Sequence, residues 1–211
     1  MSDDANSFGT LDSLQNRYHV LRHGRSEGNE LNVIVSEPDR GLGGFGLTEL
    51  GKTQVQETCK RHRAELNDVT RIFASDFLRT QQTAGIVAQH LSLEVEFTPS
   101  LRERFFGKWE GAGCEHYHDV WRQDALAPDK SVDDVESVAA VASRMTGLVR
   151  KIEQRLSAEG ESGQHILLVS HGDPLQVLLT AICGRDLHQH RAMAVLQTAE
   201  LRPLAQSACS P

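Results

Sequence analysis

Two apolar segments, each followed by a histidine and a glycine, constrain the fold of this chain more than any other feature. Tyr18–Leu21 leads into the Arg-His-Gly triplet 22–24, and Ile166–Val169 leads into the Ser-His-Gly triplet 170–172. Each apolar segment has the composition of a short strand, and the glycine that follows ends it. In open α/β sheets, ligands bind at the carboxyl ends of the strands. Both histidines are therefore predicted to lie at one ligand-binding edge.

A third strand end and an arginine-rich loop supply further charged groups. Arg79 follows the predicted strand Val69–Ala74, and the loop Leu101–Gly111 carries Glu103 between two arginines. Guanidinium groups match phosphate oxygens in charge and geometry. Imidazole has a free lone pair near neutral pH. These residue types suit the binding and cleavage of a phosphate monoester, with His23 as the candidate nucleophile.

Predicted strands alternate with predicted helices along the chain, which is typical of an α/β layer with a mostly parallel sheet flanked by helices. Two more strands are predicted at Leu93–Phe97 and Val195–Arg202. Helices are predicted from Thr48 to about Leu66, from about Leu78 to Leu91, from Val132 to Leu156, and from Pro174 to Cys183 with Asp173 as N-cap. Two long loops, Leu31–Gly46 and Gly111–Asp129, are expected to be irregular and are candidates to close over a substrate.

The 211 residues suit one domain with a sizeable hydrophobic core. We assign residues 16–203 to this domain. Residues 1–15 are polar and acidic and are predicted to form a flexible N-terminal arm, without the pattern of a secretory signal. Residues 204–211 are assigned to a C-terminal tail.

Charge and apolar content restrict the possible partners. The net charge of −7 argues against nucleic acid or an anionic membrane surface as the main partner. No run approaches the ~20 apolar residues that a membrane span needs. An anionic substrate must therefore be attracted by a local cluster of arginines. The four cysteines show no paired spacing, and a reducing, cytoplasmic setting is the expectation.

The four motifs, in their order along the chain, resemble the histidine phosphatase superfamily, which includes the cofactor-dependent phosphoglycerate mutases and the fructose-2,6-bisphosphatases. The similarity spans Tyr18 to about Arg202. It implies a phosphoglycerate mutase-like fold, a three-layer α/β sandwich with a mostly parallel central sheet.

The resemblance also implies roles for the basic residues. His23 matches the family's histidine that is transiently phosphorylated and then passes the phosphoryl group to water. Arg22 and Arg79, together with a protonated His171, match the residues that form a cationic cup around the transferring group. Asn29 and Gly172 are expected to contact the phosphoryl group as further binding residues.

Glu103 matches the family's proton donor. Its two arginine neighbours favour the ionised carboxylate, so the donor role requires burial or the charge of the incoming phosphate to raise the pKa. Glu110 and Glu115 are rival acids in the same region.

No metal and no cofactor are predicted. Four histidines invite a metal hypothesis, but no known ligand spacing accompanies them, and we interpret them as solvated loop residues: His116, His118, His188 and His190. Trp109 and Trp121 are expected to pack, with Trp121 at the pocket mouth.

The leading hypothesis is a cytoplasmic, metal-independent phosphatase that acts on a small phosphorylated metabolite through a phosphohistidine. The alternatives are phosphoglycerate mutase-type phosphoryl transfer and a non-catalytic phosphate-binding member. A mutase is disfavoured because the segment after Asn29 lacks the aromatic-rich stretch of those enzymes. The chain between Glu103 and His171 is also short for their lid insertion. The sequence specifies neither the substrate nor the oligomeric state.

Overall fold

The computed structural model describes residues 14–204. The predicted N-terminal arm and C-terminal tail lie almost entirely outside the described residues. The assignment of residues 16–203 to a single domain stays a prediction.

Five strands form one sheet: β1 (Arg17–Arg22), β2 (Arg71–Ala74), β3 (Val95–Phe97), β4 (His165–Ser170) and β5 (Leu201–Pro203). The order across the sheet is β3-β2-β4-β1-β5. All neighbouring strands are parallel except β5, which runs antiparallel to β1. Arg22 at the end of β1 pairs with Ser170 at the end of β4. This register brings the two His-Gly motifs to adjacent positions on the sheet edge.

Eight α-helices accompany the sheet within the described residues: α1 (Glu27–Leu31), α2 (Pro38–Gly41), α3 (Glu49–Arg61), α4 (Arg63–Asn67), α5 (Leu78–Leu91), α6 (Tyr117–Asp124), α7 (Val138–Ala158) and α8 (Gly172–Ile182). Short 3₁₀ turns lie at Pro99–Leu101, Gly107–Trp109, Cys114–His116 and Leu187–Ala192.

The central strand β4 shows how the layers pack, because all six of its residues are buried. Ile166 and Leu168 point into the core formed with α7 and α8. Leu167 and Val169 point into a second core on the opposite face, formed with α3 and α5. Alternate side chains of a strand point to opposite faces, so a strand covered on both sides is apolar throughout. The predicted three-layer sandwich with a mostly parallel sheet is confirmed.

A smaller apolar cluster lies beneath the loops at the carboxyl edge of the sheet. It contains Ile34, Phe106, Val120 and Val135. Ile34 comes from the first long loop, and Val120 comes from α6 in the second. This cluster packs the two loops against each other on the side of the sheet where the histidines lie.

Several predicted boundaries were wrong. The helix predicted from Thr48 to Leu66 breaks at His62, whose φ of −105° and ψ of 30° are not helical. The loop Gly111–Asp129 was predicted to be irregular but contains α6, and Leu31–Gly46 contains α2.

The helix predicted to begin at Val132 begins at Val138. Ser137 is its N-cap, and the Ser137 Oγ accepts a hydrogen bond from the amide of Ala140. Asp133 and Asp134, just before it, have φ values of 57° and 60°, which end any helix there.

The last strand is shorter than predicted, because only Leu201–Pro203 pairs with β1. Asp173 is not the N-cap of α8. That position is His171, and Asp173 lies in the first turn with its carboxylate turned to Arg104 and Trp121.

Cys59 and Cys114 are free thiols, whereas Cys183 is disulfide-bonded. The reducing, cytoplasmic setting stays a prediction. Among residues 14–204, no helix is both long and apolar enough to cross a membrane.

Candidate active site

His23 and His171 occupy the ends of adjacent parallel strands. The backbone amide of His23 continues the ladder by donating to the Ser170 carbonyl at 3.0 Å. The two imidazole rings lie 5.2 Å apart between centroids, at an interplanar angle of 63°. Both side chains are buried. The strand register thus brings together the two histidines that the sequence separates by more than 140 positions.

Arg79, one residue into α5, lies between the two imidazoles. Its Nε is 3.3 Å from His23 Nε2 and 3.1 Å from His171 Nδ1. Its Nη2 donates to the Val35 carbonyl at 2.9 Å, so the first long loop holds the other end of the guanidinium. Because Arg79 is a donor only, both facing ring nitrogens must carry lone pairs.

These contacts define the protonation state of His23. Its Nδ1 lies 2.8 Å from the Gly24 carbonyl, which can only accept, so the ring proton is on Nδ1. Burial, followed by the charges of Arg79 and Arg22, lowers the pKa of His23 well below its usual value. His23 is therefore neutral and has an unprotonated Nε2 in the cavity.

His171 is neutral as well, contrary to the protonated state expected from the sequence. Its Nδ1 accepts from Arg79, which leaves the proton on Nε2, 3.0 Å from the Ser75 hydroxyl. Burial and the adjacent Arg79 lower the pKa of His171 well below its usual value. In this arrangement the positive charge of the site comes from arginines, and His171 contributes a dipole.

Arg22 supplies the second guanidinium. Its Nη1 donates to the Leu196 carbonyl at 2.7 Å, which fixes the side chain along the cavity wall. Its Nε is buried and has no hydrogen-bond partner within residues 14–204. A buried donor without a partner is costly, and a phosphate oxygen would satisfy it.

Glu103 lies beside these groups, with Oε2 3.8 Å from Arg79 Nη2 and 3.9 Å from His171 Nδ1. Burial raises the pKa of Glu103 to about 7, although Arg79 acts in the opposite direction. Its arginine neighbours in sequence turn away from it. Arg102 forms a bidentate pair with Asp76, and Arg104 forms one with Asp124. The burial that a proton donor requires is therefore present.

Glu110 and Glu115, the other two candidate proton donors, lie outside the cavity. Oε2 of Glu110 accepts hydrogen bonds from the Ser36 amide and hydroxyl, at 2.7 and 2.6 Å, and from the Glu37 amide. Glu110 thus fastens the segment that carries the Val35 carbonyl. Glu115 is exposed at the surface. Neither lines the cavity that contains Glu103.

Asn29 and Gly172 both line the same cavity. Asn29 Oδ1 accepts from the Ser26 amide in the capping box of α1, which leaves the Asn29 amide NH₂ as a donor. Gly172 is the first residue of α8, where backbone N–H groups lack helical partners and favour anions.

The cavity has a volume of about 260 Å³, and Arg22, His23, Arg79 and Glu103 line one part of it. His171 is fully buried behind Arg79. The site therefore combines arginine donors, an imidazole lone pair and a carboxyl group that exchanges its proton near neutral pH. These are the groups that cleavage of a phosphate monoester requires.

Several residues of the cavity wall were not predicted from the sequence. Tyr117 on α6, Gln176 on α8 and Arg191 on the last 3₁₀ turn all line it. Trp121 lines it too, as expected. Arg191 lies among the histidines that were considered for metal binding, and no pattern around it indicates a site.

The histidines that were considered for metal binding contact neighbouring side chains instead. His116 stacks on Trp109 and bonds to Asp119, and His188 bonds to Asp186. His190 is buried. Within residues 14–204, no group of three or more His, Cys, Asp or Glu side chains is arranged to hold a metal ion.

Comparison with known proteins points to one family. The model of the histidine phosphatase superfamily (branch 1) matches residues 18–208. A probable phosphoglycerate mutase, GpmB, from Cronobacter sakazakii is 30% identical over 180 residues, which cover 83% of this chain and 78% of that protein.

Among solved structures, a mycobacterial hydrolase has a TM-score of 0.75 at 24% identity, covering 89% of this chain and 87% of the other. A mycobacterial glucosyl-3-phosphoglycerate phosphatase has a TM-score of 0.72 at 25% identity, covering 89% and 88%. The chain therefore shares the fold of these two structures.

Proposed function

This chain belongs to the histidine phosphatase superfamily, and we propose that it is a metal-independent phosphomonoesterase that hydrolyses a small phosphorylated metabolite through a phosphohistidine at His23. One observation carries the proposal. His23 donates its Nδ1 proton to the Gly24 carbonyl and turns an unprotonated Nε2 toward Arg79 in a cavity that Arg22 also lines. A nucleophile oriented by a hydrogen bond beside preorganised cations is the arrangement that phosphoryl transfer needs.

In the first step, His23 Nε2 attacks phosphorus and forms an N–P bond while the bond to the ester oxygen breaks. Arg22 and Arg79 neutralise the phosphoryl oxygens. Glu103, whose pKa is raised to about 7, gives its proton to the departing oxygen, which leaves as an alcohol.

In the second step, water attacks the phosphohistidine. The Glu103 carboxylate takes a proton from that water, the N–P bond breaks, and inorganic phosphate leaves. Glu103 is then protonated and His23 neutral, as at the start. Asn29 and Gly172 hold the phosphoryl group in both steps.

Mutase activity is the second candidate, because the sequence relatives are named as probable phosphoglycerate mutases. A mutase must keep water from its phosphohistidine until the group returns to a second hydroxyl. The segment between Glu103 and His171 is short for the lid insertion of the phosphoglycerate mutases. The two α-helices in this segment, α6 and α7, pack into the apolar cores. This supports hydrolysis, as does the naming of a structural neighbour as a phosphatase.

A panel of phosphomonoesters tests the proposal. The purified protein should release inorganic phosphate from some of them, and His23→Ala should lose this activity. His90→Ala, an exposed residue on α5, is the control and should retain it. A brief reaction with a ³²P-labelled substrate should leave acid-labile label on the wild-type protein and none on His23→Ala. Full activity of His23→Ala would contradict the proposed nucleophile.

Incubation with 3-phosphoglycerate separates the two candidate activities. Phosphate release without formation of 2-phosphoglycerate supports the phosphatase. Isomerisation faster than hydrolysis supports the mutase. Tight binding of phosphoesters without turnover of any of them would favour a non-catalytic binding member.

A further inference from the structure

Tyr117 brings a hydroxyl group to the wall of the cavity in which the proposed reaction takes place. It is the first residue of α6, and it lines the cavity together with Arg22, His23 and Glu103. The two chemical steps use the imidazole, the guanidinium groups and the carboxyl group, and they leave the hydroxyl of Tyr117 without a function.

Aromatic contacts hold the Tyr117 ring in place. The ring packs edge-to-face on the buried Phe106, with centroids 4.7 Å apart at 73°, and stacks on Trp121 at 5.3 Å and 8°. Trp121 is itself fixed, because its indole N–H donates to Asp173 Oδ1 at 3.0 Å and the guanidinium carbon of Arg191 lies 3.5 Å from its ring centroid. Packing of this kind restricts the orientation of an aromatic ring, so the phenol oxygen has a defined position at the cavity wall.

The charges that act on the phenol indicate which of the reacting groups it is near. Burial, followed by the charge of Glu103, raises the pKa of Tyr117 well above its usual value, and the opposing effect of Arg79 is smaller. Charge effects decrease with distance, so the phenol lies closer to the carboxyl group than to the guanidinium. The raised pKa also keeps the hydroxyl protonated near neutral pH. Tyr117 therefore acts as a hydrogen-bonding group and does not transfer its proton.

The proton of the Tyr117 hydroxyl has a weak partner. Burial raises the pKa of the Cys114 thiol, which lines the same cavity, and a hydrogen bond from Tyr117 acts in the opposite direction. Sulfur is a weak acceptor, and a phenol that donates to it can still accept a hydrogen bond with its own lone pairs. The phenol oxygen of Tyr117 can therefore accept a hydrogen from a water molecule.

Hydrolysis of the phosphohistidine requires a water molecule that is held in one orientation. The water oxygen must bond to phosphorus while the N–P bond to His23 breaks, and one water proton must pass to Glu103. A water with a single partner can turn about that hydrogen bond, whereas two partners fix the lone pair that attacks. Arg22 and Arg79 are donors only and cannot accept the second hydrogen. The second hydrogen needs an acceptor near Glu103, and the Tyr117 oxygen is one.

We propose that Tyr117 positions the attacking water, which donates one hydrogen to the phenol oxygen and the other to the Glu103 carboxylate. The water oxygen becomes an oxygen of inorganic phosphate and keeps the hydrogen that Tyr117 accepted, while the other proton passes to Glu103. Tyr117 keeps its own proton throughout. This inference rests on the proposed phosphatase function and assigns one more residue to its second step.

Tyr117→Phe tests the proposal, because it removes the hydroxyl and retains the ring that packs on Phe106 and Trp121. Rapid-quench measurements with a ³²P-labelled phosphomonoester give the rates of formation and of loss of label on His23 separately. The variant should lose label about tenfold more slowly, the size expected for one hydrogen bond, and should form it within about twofold of the wild-type rate. The labelled fraction during turnover should rise, and kcat and KM should fall together so that kcat/KM is retained.

Tyr18→Phe is the matched control, because Tyr18 is the other of the two tyrosines in the chain. Its hydroxyl donates to Glu153 Oε1 at 2.6 Å, and its side chain lies in the core formed with α7 and α8. The same chemical change at this position should leave both rates unaltered. Thermal denaturation of the two variants separates a loss of folded protein from an effect on the rates.

Wild-type rates in Tyr117→Phe would show that the residue serves only through its ring. Equal slowing of both steps would assign the hydroxyl to the phosphoryl group and not to water. Either result would overturn the role of Tyr117, while label on His23 of the wild-type protein would still support the phosphatase. A wild-type protein that neither carries label nor releases phosphate from any substrate would refute the proposed function and, with it, the role of Tyr117.

Discussion

Glu103 Oε2 lies only 3.8 Å from Arg79 Nη2, yet the pKa of Glu103 is raised to about 7. Desolvation of the buried carboxyl outweighs the attraction of the guanidinium, because removal of a charge from water costs more than one neighbouring cation returns. The carboxyl is therefore divided between its two protonation states at neutral pH, which suits a group that must first give a proton and then take one.

The activity on alkyl phosphates should fall as the pH rises through about 7, because the first step needs protonated Glu103. The kcat/KM profile of an alkyl phosphate, measured from pH 5 to 9, checks this. Glu103→Gln should lower kcat by roughly 10²- to 10⁴-fold and remove this limb of the profile. With p-nitrophenyl phosphate, whose leaving group departs without a proton, the loss should be much smaller. Equal losses on both substrates would contradict the proton-donor role.

The stability of the protein should depend on the ion pair between Arg104 and Asp124. Both side chains are almost fully buried, and two hydrogen bonds of 2.7 Å join them. Asp124→Asn should lower the free energy of unfolding by about 3 kcal/mol, because it leaves a buried guanidinium with too little negative charge. Asp119→Asn removes a surface partner of Arg122 on the same helix and should have a far smaller effect, because solvent screens an exposed ion pair. Urea denaturation measures both, and equal effects would refute the argument.

The sequence predicted the sheet edge at which Arg22, His23 and His171 lie because their positions depend on local signals. Each histidine follows an apolar strand and precedes a glycine, and parallel pairing of two such strands places their ends side by side. Helix α5 was predicted with the bounds it has, since its apolar positions repeat at helical spacing.

What the sequence missed depends on contacts between distant segments. Nothing local to Arg104 indicates its partner Asp124, and nothing local to Arg191 indicates Trp121. The protonated His171 was wrong for a related reason. The burial that lowers its pKa comes from the complete fold and not from its neighbours in sequence.

Glu110 should influence catalysis from outside the cavity. It accepts three hydrogen bonds from Ser36 and Glu37, and this segment carries the Val35 carbonyl that holds Arg79. Glu110→Ala should release the segment and lower kcat/KM by roughly tenfold or more, since small displacements of a positioning group are costly. Its pH profile should retain the wild-type limb near pH 7, because Glu103 is unchanged. Loss of that limb would indicate that Glu110 is an acid in the reaction.

Gly172 should be required because a side chain there would press on Arg22. A Cβ at Gly172 would lie 3.2 Å from Arg22 Cζ and 3.3 Å from its Nε. Arg22 cannot move freely, because its Nη1 is bound to the Leu196 carbonyl. Gly172→Ala should therefore displace the guanidinium and lower kcat/KM by roughly tenfold, with a small effect on stability.

Gly147→Ala is the control for this substitution. Gly147 lies within α7, and a Cβ there would meet no atom within 4 Å apart from its chain neighbours and the backbone of its own helix. Alanine should stabilise the helix by about 0.5–1 kcal/mol and leave kcat/KM unchanged. Thermal denaturation and phosphate release, measured on both variants, separate the two effects. Wild-type activity in Gly172→Ala would show that Arg22 does not need its present position, which would weaken its assigned role in holding the phosphoryl group.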